Sequence, residues 1–357
     1  MTFPAKGRDI RKVLLVIAGV VVIAMVAMVY VFNQLLEDAT ARRPDGRIDQ
    51  YSQEIRDYPN HASAYVNRGR VYDFMKQFDR AIADYDQAIR LDPKYAVAYN
   101  LRGESYRRKG DPDRAIADYD EAIRLVPSDS DAINNRAMAY DQKGDYDRAI
   151  ADLNEAIRLV PKYVIFYGNR GDVYRHKGDP DRAVADYSEV LRLIPEGASS
   201  QYSDRGMAYN DMGDYDRAIA DFSETIRRIP HYQAAYSGRG FAYARRHDPD
   251  RAIVDLDEAI RRDPNDATAH SHRGSALLEK GDFAGAIAEL NDAILLDPKY
   301  AGGYVERGNY FRQRGDFAFA IKDYQAALAI RANYPEASKN LAEAKAALAA
   351  ALSKPSK

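Results

Sequence analysis

The chain has 357 residues, 30% of them charged and 11% aromatic, and its 52 basic residues nearly balance its 54 acidic ones. This much aromatic and apolar material excludes a disordered protein, and the balanced charge argues against a nucleic-acid-binding surface. The absence of cysteine excludes disulfides, thiolate metal sites and cysteine nucleophiles. A chain of this length is expected to form several domains or one repeat array.

The first predicted element is an apolar segment at residues 13–32, which carries no charge. A helix of this length is about 30 Å long, enough to cross the hydrocarbon core of a bilayer. Residues 1–12 have a net charge of +3, from four basic residues against Asp9. By the positive-inside rule, residues 1–12 are predicted to be a cytoplasmic tail and the chain after Phe32 to be periplasmic in a bacterial cell. We therefore predict a single-pass inner-membrane protein.

A cleaved signal peptide is the alternative for this segment. The sequence Ala39-Thr40-Ala41 is typical of a cleavage site. The apolar run is longer than the ~7–15 residues usual in signal peptides, which favours an uncleaved transmembrane helix.

Residues 33–61 are predicted to form a short linker and one helix. The sequence Asp45–Pro59 aligns with the second half of the repeats that follow, but no matching first half precedes it. We predict a half-repeat helix that packs on the first full repeat.

A repeat dominates the rest of the chain. The sequence DRAIADYDQAIRLDP at 79–93 returns at 113–127 and 147–161, and in diverged form four more times. The prolines that close the seven copies are separated by 34, 34, 34, 35, 34 and 34 residues. Each copy has helical periodicity and follows a second amphipathic segment. In most units, a glycine then an aspartate lie between the two segments, as at a helix end followed by an N-cap. Each unit is therefore predicted to be a helix–turn–helix.

This unit resembles the tetratricopeptide repeat. In the second full unit, the consensus positions of that family are Tyr99, Gly103, Tyr106, Ala115, Tyr119, Ala122 and Pro127. Eight units follow the frame over residues 62–332, beginning near Ala62, Ala96, Ser130, Val164, Ser199, Gln233, Ala267 and Ala301. The resemblance implies an all-α, right-handed superhelical solenoid. Among the departures from the pattern, His270 replaces the first aromatic residue.

Residues 333–357 are predicted to form a capping helix, over Pro335–Ser353, and a tail. Terminal repeats need such a cap because their outer face has no neighbour. Phe319 occupies a position where earlier units have arginine. It is predicted to lie under the cap, or alternatively to be a docking aromatic residue.

One charged pair recurs in all eight units. An arginine precedes the position of the consensus glycine, and an acid occupies one position of the second helix. Antiparallel packing brings the two to the same level, so we predict a structural arginine–acid ladder; the alternative is a track for an anionic ligand. The arginines are Arg68, Arg102, Arg136, Arg170, Arg205, Arg239, Arg273 and Arg307. The acids are Asp84, Asp118, Asp152, Asp186, Asp221, Asp255, Glu289 and Asp323.

The resemblance also implies a concave groove, lined by the first helices, that binds an extended peptide or a partner helix. Positions that resemble groove positions differ between units, whereas the framework positions are kept. The main candidates are Arg70, Asp73, Asn100, Glu104, Arg107, Asn134, Met138, Asp141, Asp172, Arg175, Met207, Asn210, Phe241, Asn309 and Arg312. Further candidates are Val66, Gly168, Ser203, Ser237, Ala244, Ser271, Ser275, Leu278 and Val305. The alternative is an ordinary polar helix face. The Lys/Asn/Arg clamp of family members that bind chaperone tails is not reproduced.

No catalytic or cofactor motif is found in the sequence: it contains no P-loop, HExxH or GxSxG pattern. His270 and His272 are two residues apart on a predicted helix and point in different directions, so they do not predict a metal site. We expect a non-catalytic, membrane-anchored scaffold that binds other proteins and no nucleic acid. A regulatory or assembly subunit of an envelope enzyme or export complex is the alternative.

Overall fold

The structure is a computed structural model that describes residues 44–197 and 199–353. The basic tail, the apolar segment 13–32 and most of the linker lie outside these residues. Within the described ranges the chain forms eighteen α-helices and no strand. None of the described helices is both long and apolar enough to span a membrane.

First and second helices of the repeats alternate along the chain, after the half-repeat helix α1 (Pro44–Asp57). The first helices are α2 (Ala62–Phe74), α4 (Ala96–Arg108), α6 (Ser130–Gln142), α8 (Val164–Lys177), α10 (Ser199–Met212), α12 (Gln233–Arg245), α14 (Ala267–Glu279) and α16 (Ala301–Gln313). The second helices are α3 (Phe78–Leu91), α5 (Pro112–Leu125), α7 (Tyr146–Leu159), α9 (Pro180–Leu193), α11 (Tyr215–Arg228), α13 (Pro249–Arg262), α15 (Phe283–Leu296) and α17 (Phe317–Ile330). The cap is α18 (Pro335–Leu352).

The turns within the repeats have the backbone conformation that the glycines suggest. Six glycines after the first helices have φ between +77° and +83°, the left-handed region. Lys76 and His247 adopt the same region without being glycine. The following aspartate caps the second helix in most repeats, as Asp111 does by accepting from the Arg114 amide at 3.1 Å. The predicted cap is missing at Asp316, whose side chain accepts no capping hydrogen bond.

The chain divides into two compact units, residues 1–159 and 160–357. The described part of the first unit contains α1–α7, the half-repeat and repeats one to three. The second unit contains α8–α18, repeats four to eight and the cap. Within each unit, the two helices of a repeat pack together and the second helix packs on the next first helix. The apolar face of each helix pair is therefore buried by its neighbour.

One large side chain from each second helix forms the centre of each repeat. This core column consists of Tyr85, Tyr119, Leu153, Tyr187, Phe222, Leu256, Leu290 and Tyr324, all fully buried. In most repeats its members pack on the consensus glycine of the first helix. A Cβ added to Gly240 would lie 2.7 Å from Leu256 Cγ, so a larger residue does not fit without movement.

The cap α18 covers the last repeat with small side chains. Ala337 and Ala344 are buried in one cluster with Ala320, Tyr324 and Ala327 of α17. Phe319 remains 60% exposed, and its ring packs on Phe311, with centroids 5.3 Å apart. The prediction that Phe319 lies under the cap is wrong, because it lies outside the stripe of α17 that this cluster buries.

Candidate functional site

All eight predicted arginine–acid pairs lie within hydrogen-bonding distance. In seven repeats the arginine Nε and Nη2 donate to the two carboxylate oxygens, as Arg239 does to Asp255 at 2.7 and 2.8 Å. In the seventh repeat, Arg273 donates through Nη1 to Glu289 at 2.5 Å. The acid is buried in most of these pairs. Such two-fold hydrogen bonding fixes the geometry of a charge pair as well as neutralising it.

The ladder also connects neighbouring repeats. Seven of the arginines reach a polar side chain on the second helix before their own repeat: Ser52, Asp86, Asp120, Ser188, Ser223, Asp257 and Asn291. Arg102, for example, lies 2.6 Å from Asp118 of its own repeat and 2.6 Å from Asp86 of the preceding one. The guanidinium groups thus have partners inside the protein, which favours the structural interpretation over an anion track.

One column of predicted groove residues is buried instead of lining a groove. Its members are Val66, Asn134, Ser203, Ser237, Ser271 and Val305. Val66 packs in the same cluster as Ala98 of the next repeat, and Val305 packs in the cluster that includes Ala337 of the cap. Because these six side chains are buried, they do not line an open groove, and their placement there was wrong.

A second group of predicted groove residues accepts hydrogen bonds from tyrosines of the core column. Each buried tyrosine donates its hydroxyl to the first helix of its own repeat: Tyr85 to Asp73 at 2.7 Å, Tyr119 to Glu104 at 3.2 Å, Tyr187 to Asp172 at 2.7 Å and Tyr324 to Asn309 at 2.8 Å. A buried hydroxyl needs an acceptor. The polar character of these first-helix positions therefore has a structural cause.

The other four repeats have no hydroxyl in the core column. Their core residues are Leu153, Phe222, Leu256 and Leu290, and the first-helix residues that correspond to Glu104 are Met138, Met207, Phe241 and Ser275. Three of these repeats, the fifth to the seventh, are consecutive and lie in the second unit. Their first helices, α10, α12 and α14, form the stretch in which the core does not dictate the side chain at this position.

Of the remaining candidates, Leu278 is also buried, and the others are exposed or partly buried. Arg70 is exposed, and Met138 and Asp141 are partly buried. Several are engaged with neighbours: Arg107 with Glu104 at 2.8 Å, Arg175 with Asp211 at 2.9 Å, Arg312 with Glu343 at 2.6 Å, and Asn100 with Asn135 at 3.0 Å. Three of the four candidate arginines thus already pair with carboxylates of the protein.

A cavity of about 270 Å³ opens between α12, α14 and α16. Its polar and aromatic lining consists mainly of Phe241, Arg245, His272, Ser275, Glu279 and Glu306. The His272 ring packs against Phe241, with centroids 4.6 Å apart. Phe241 was predicted from the sequence, whereas His272 and Glu306 were not.

His272 and Glu306 belong to a column that the sequence reasoning missed. They directly precede the ladder arginine, where the other repeats have Asn67, Leu101, Asn135, Asn169, Asp204 and Gly238. The residue at this position differs between repeats, and this variation was the sequence signal that could have identified it as part of a binding surface. Only the packing of adjacent first helices shows that it borders the cavity.

Burial changes the ionisation of three side chains in this missed column. It lowers the pKa of His272 to about 4, so the ring is neutral near pH 7. Burial also raises the pKa of Glu306, helped by the charge of Glu336 and opposed by hydrogen bonds and by Arg245. On α10, burial and the charge of Asp172 raise the pKa of Asp204 to about 6. A carboxyl group with a raised pKa has less stabilisation of its charge than water provides.

Stacked helix pairs with a fixed core and a varied first-helix face define a helical-repeat protein. The chain belongs to the tetratricopeptide repeat family. A family model described as tetratricopeptide repeat matches residues 67–130, 134–198, 203–267 and 238–304, and one described as TPR repeat matches residues 308–348. These repeats generally mediate protein–protein interactions, and the fold is typically a non-catalytic scaffold.

Solved structures share this fold at low identity. A tetratricopeptide repeat protein from Parabacteroides merdae has 20% identity and a TM-score of 0.62, over 70% of this chain and 98% of that one. A chain of the APC/C hetero-tetramer Cut9–Hcn1 has 17% identity and a TM-score of 0.57, over 83% of this chain and 58% of that one. At such identities the likeness shows the fold alone. A search of curated proteins found no match.

Proposed function

We propose that this protein is a membrane-anchored scaffold of a bacterial envelope, and that its first helices bind segments of partner proteins. The observation that carries the proposal is the separation of roles within each repeat. The ladder is nearly constant, and the core column is a large buried residue in every repeat. Residues of α10, α12 and α14 that the core does not constrain instead differ from repeat to repeat. A surface of this kind distinguishes partners without disturbing the fold.

The rigidity of the helices supports binding. Neighbouring first helices of the second unit contact each other directly. Within this unit, Arg205, Arg239, Arg273 and Arg307 each connect their repeat to the preceding one. A preformed surface loses little conformational entropy when a partner docks, so more of the contact energy contributes to affinity.

The anchor is proposed from residues 13–32 and the basic tail before them. Only residues 33–43 separate the apolar segment from the start of α1. The repeats are therefore proposed to lie close to the periplasmic face of the inner membrane. A reporter active only in the periplasm, fused after Lys357, tests this orientation; an inactive periplasmic reporter with an active cytoplasmic one overturns it.

The binding proposal is tested by photo-crosslinking in intact cells. A photoreactive phenylalanine analogue replaces Phe241 on α12 in the full-length protein. The matched control carries it at Val254 on α13, which is 67% exposed on a second helix. Discrete protein adducts from position 241 and none from 254 support the proposal. The absence of adducts at 241, or identical adducts at both positions, contradicts it.

A further inference from the structure

The geometry points to a specific ligand for the cavity between α12, α14 and α16: we infer that it binds an arginine side chain of the partner segment. This inference rests on the proposed function and adds the chemistry by which the partner is recognised. Three observations carry it, namely an excess of carboxylate charge, an aromatic wall, and a buried ring nitrogen without a hydrogen-bond partner.

The first observation is the charge of the cavity. Glu306 accepts hydrogen bonds from the Asn309 amide, at 3.3 Å, and from the Ser275 hydroxyl, and both of these donors are neutral. Glu336 on the cap adds a second negative charge nearby. The one guanidinium in the lining, Arg245, donates to the neutral Tyr215 hydroxyl at 3.2 Å and keeps its charge, which attracts both Glu306 and Glu336. One guanidinium thus faces two carboxylates. The cavity therefore carries more negative than positive charge, which suits a cationic group.

The other charged groups of this face do not change that balance. Glu279 lies 2.7 Å from the His247 ring at the rim. On the flanking helices, Arg175 pairs with Asp211 and Arg312 pairs with Glu343. These arginines are already neutralised by protein carboxylates, so they do not compensate Glu306.

The second observation is the aromatic wall formed by Phe241 and His272. Their rings pack together, and His272 is neutral near pH 7 because burial lowers its pKa to about 4. A planar guanidinium stacks well on aromatic faces, and a neutral imidazole does not repel it. An ammonium group satisfies the carboxylate but lacks a planar face for this stacking, which favours arginine over lysine.

The third observation is a buried ring nitrogen in the cavity lining, Nδ1 of His272, which has no hydrogen-bond partner in the described structure. A neutral imidazole has one acceptor nitrogen. A guanidinium has five N–H donors and no acceptor, so it can supply the donor that an acceptor nitrogen at this position lacks.

The test uses random peptides displayed on phage and the full-length protein in detergent micelles. Selection is performed in parallel on the native protein, on Glu306→Gln and on the control Glu258→Gln, which removes a carboxylate from the second helix α13. We expect arginine-containing peptides to be enriched on the native protein and on the control, but not on Glu306→Gln. Circular dichroism checks folding; losing a carboxylate whose pKa is raised is not expected to unfold the protein.

An enriched peptide then undergoes a double-mutant cycle by fluorescence anisotropy. Replacing its arginine by citrulline, which is neutral, is expected to weaken binding by about tenfold or more, and Glu306→Gln to do the same. Both changes together are expected to cost little more than either one. Equal affinity for the native protein and Glu306→Gln overturns the inference.

The outcomes separate this inference from the proposed function. Enriched peptides without arginine that compete with adduct formation at position 241 leave the scaffold function intact and overturn the inference. No enrichment together with no adduct at position 241 overturns both.

Discussion

His270 Nδ1 lies 2.7 Å from Oε2 of Glu289, and both residues depart from the pattern of the other repeats. Elsewhere the position of His270 is usually tyrosine and that of Glu289 is always aspartate. His270 Nε2 lies 3.1 Å from the Pro264 carbonyl, which reproduces the bond that Tyr236 makes to Pro230 at 3.0 Å. The longer glutamate then reaches both His270 and Arg273. The two departures therefore compensate for each other.

The first prediction is that His270 and Glu289 are energetically coupled. His270→Tyr removes a donor from Glu289, and Glu289→Asp shortens the acid so that it no longer reaches His270. We expect each single change to destabilise the protein and the double change to restore the stability, with a coupling energy of about 0.5–3 kcal/mol. Thermal melts of the four proteins measure it. Additive effects of the two changes contradict the prediction.

The second prediction is that a ladder pair stabilises the fold more than a surface pair does. Asp255→Asn leaves Arg239 without its buried carboxylate. Breaking a buried pair costs about 3–5 kcal/mol, and because Arg239 is 20% exposed we expect about 2–4. The matched control is Glu189→Gln, whose partner Arg192 is 67% exposed.

Urea midpoints provide the comparison. We expect Asp255→Asn to shift the midpoint clearly and Glu189→Gln to leave it nearly unchanged, because exposed ion pairs contribute little. Equal shifts in the two variants show that the ladder is not a main determinant of stability.

The third prediction uses two glycines in first helices. A Cβ at Gly240 meets Leu256 Cγ at 2.7 Å and the Ala252 carbonyl oxygen at 3.2 Å. Gly240→Ala is expected to destabilise by about 1–3 kcal/mol because the packed helices must move apart. A Cβ at Gly168 meets no atom within 4 Å. Gly168→Ala is expected to stabilise by up to about 1 kcal/mol because alanine favours the helix. Thermal shifts of the same sign in both variants contradict this account.

The fourth prediction concerns the pH dependence of stability. The pKa of Asp204 is raised to about 6, above the ~3.9 of an unfolded chain. Between these values the folded state holds a proton that the unfolded state has lost. Stability from this group is therefore complete below about pH 4 and is lost as the pH rises through about 6.

Asp204→Asn removes the ionisable carboxyl group, so the variant does not lose stability as the pH rises through about 6. We expect the variant to be more stable than the native protein at about pH 7.5, by roughly 1–3 kcal/mol. The gain should shrink as the pH is lowered towards 4. Melts over this pH series measure it, and a gain that does not change with pH is the contrary outcome.

Much of the repeat was predictable because its signals are local. The frame placed the starts of the first helices near Ala62 and Ala96, and the structure begins α2 and α4 there. The left-handed turn positions were predictable because glycine adopts a positive φ more readily than other residues do. The arginine–acid pairs were predictable because two antiparallel helices joined by a short turn have one register.

The candidate site was less predictable because it depends on contacts between repeats. Asp73 and Glu104 were selected as groove residues by position, but their side chains accept hydrogen bonds from buried tyrosines. Asp204 and Glu306 were overlooked, although they adjoin the ladder. Whether these residues meet a neighbour, the core or solvent depends on how each helix pair is rotated on the next.

By itself, the sequence determined the 34-residue period, the helix–turn–helix unit, the core column and the ladder. Each follows from helical spacing, turn chemistry or pairing within one repeat. Only the tertiary structure decided that the buried hydroxyls bind first-helix acceptors, and that Phe241, His272 and Glu306 meet around one cavity. These residues lie on three helices of three repeats, and their proximity arises from packing between repeats, which the spacing within one repeat does not specify.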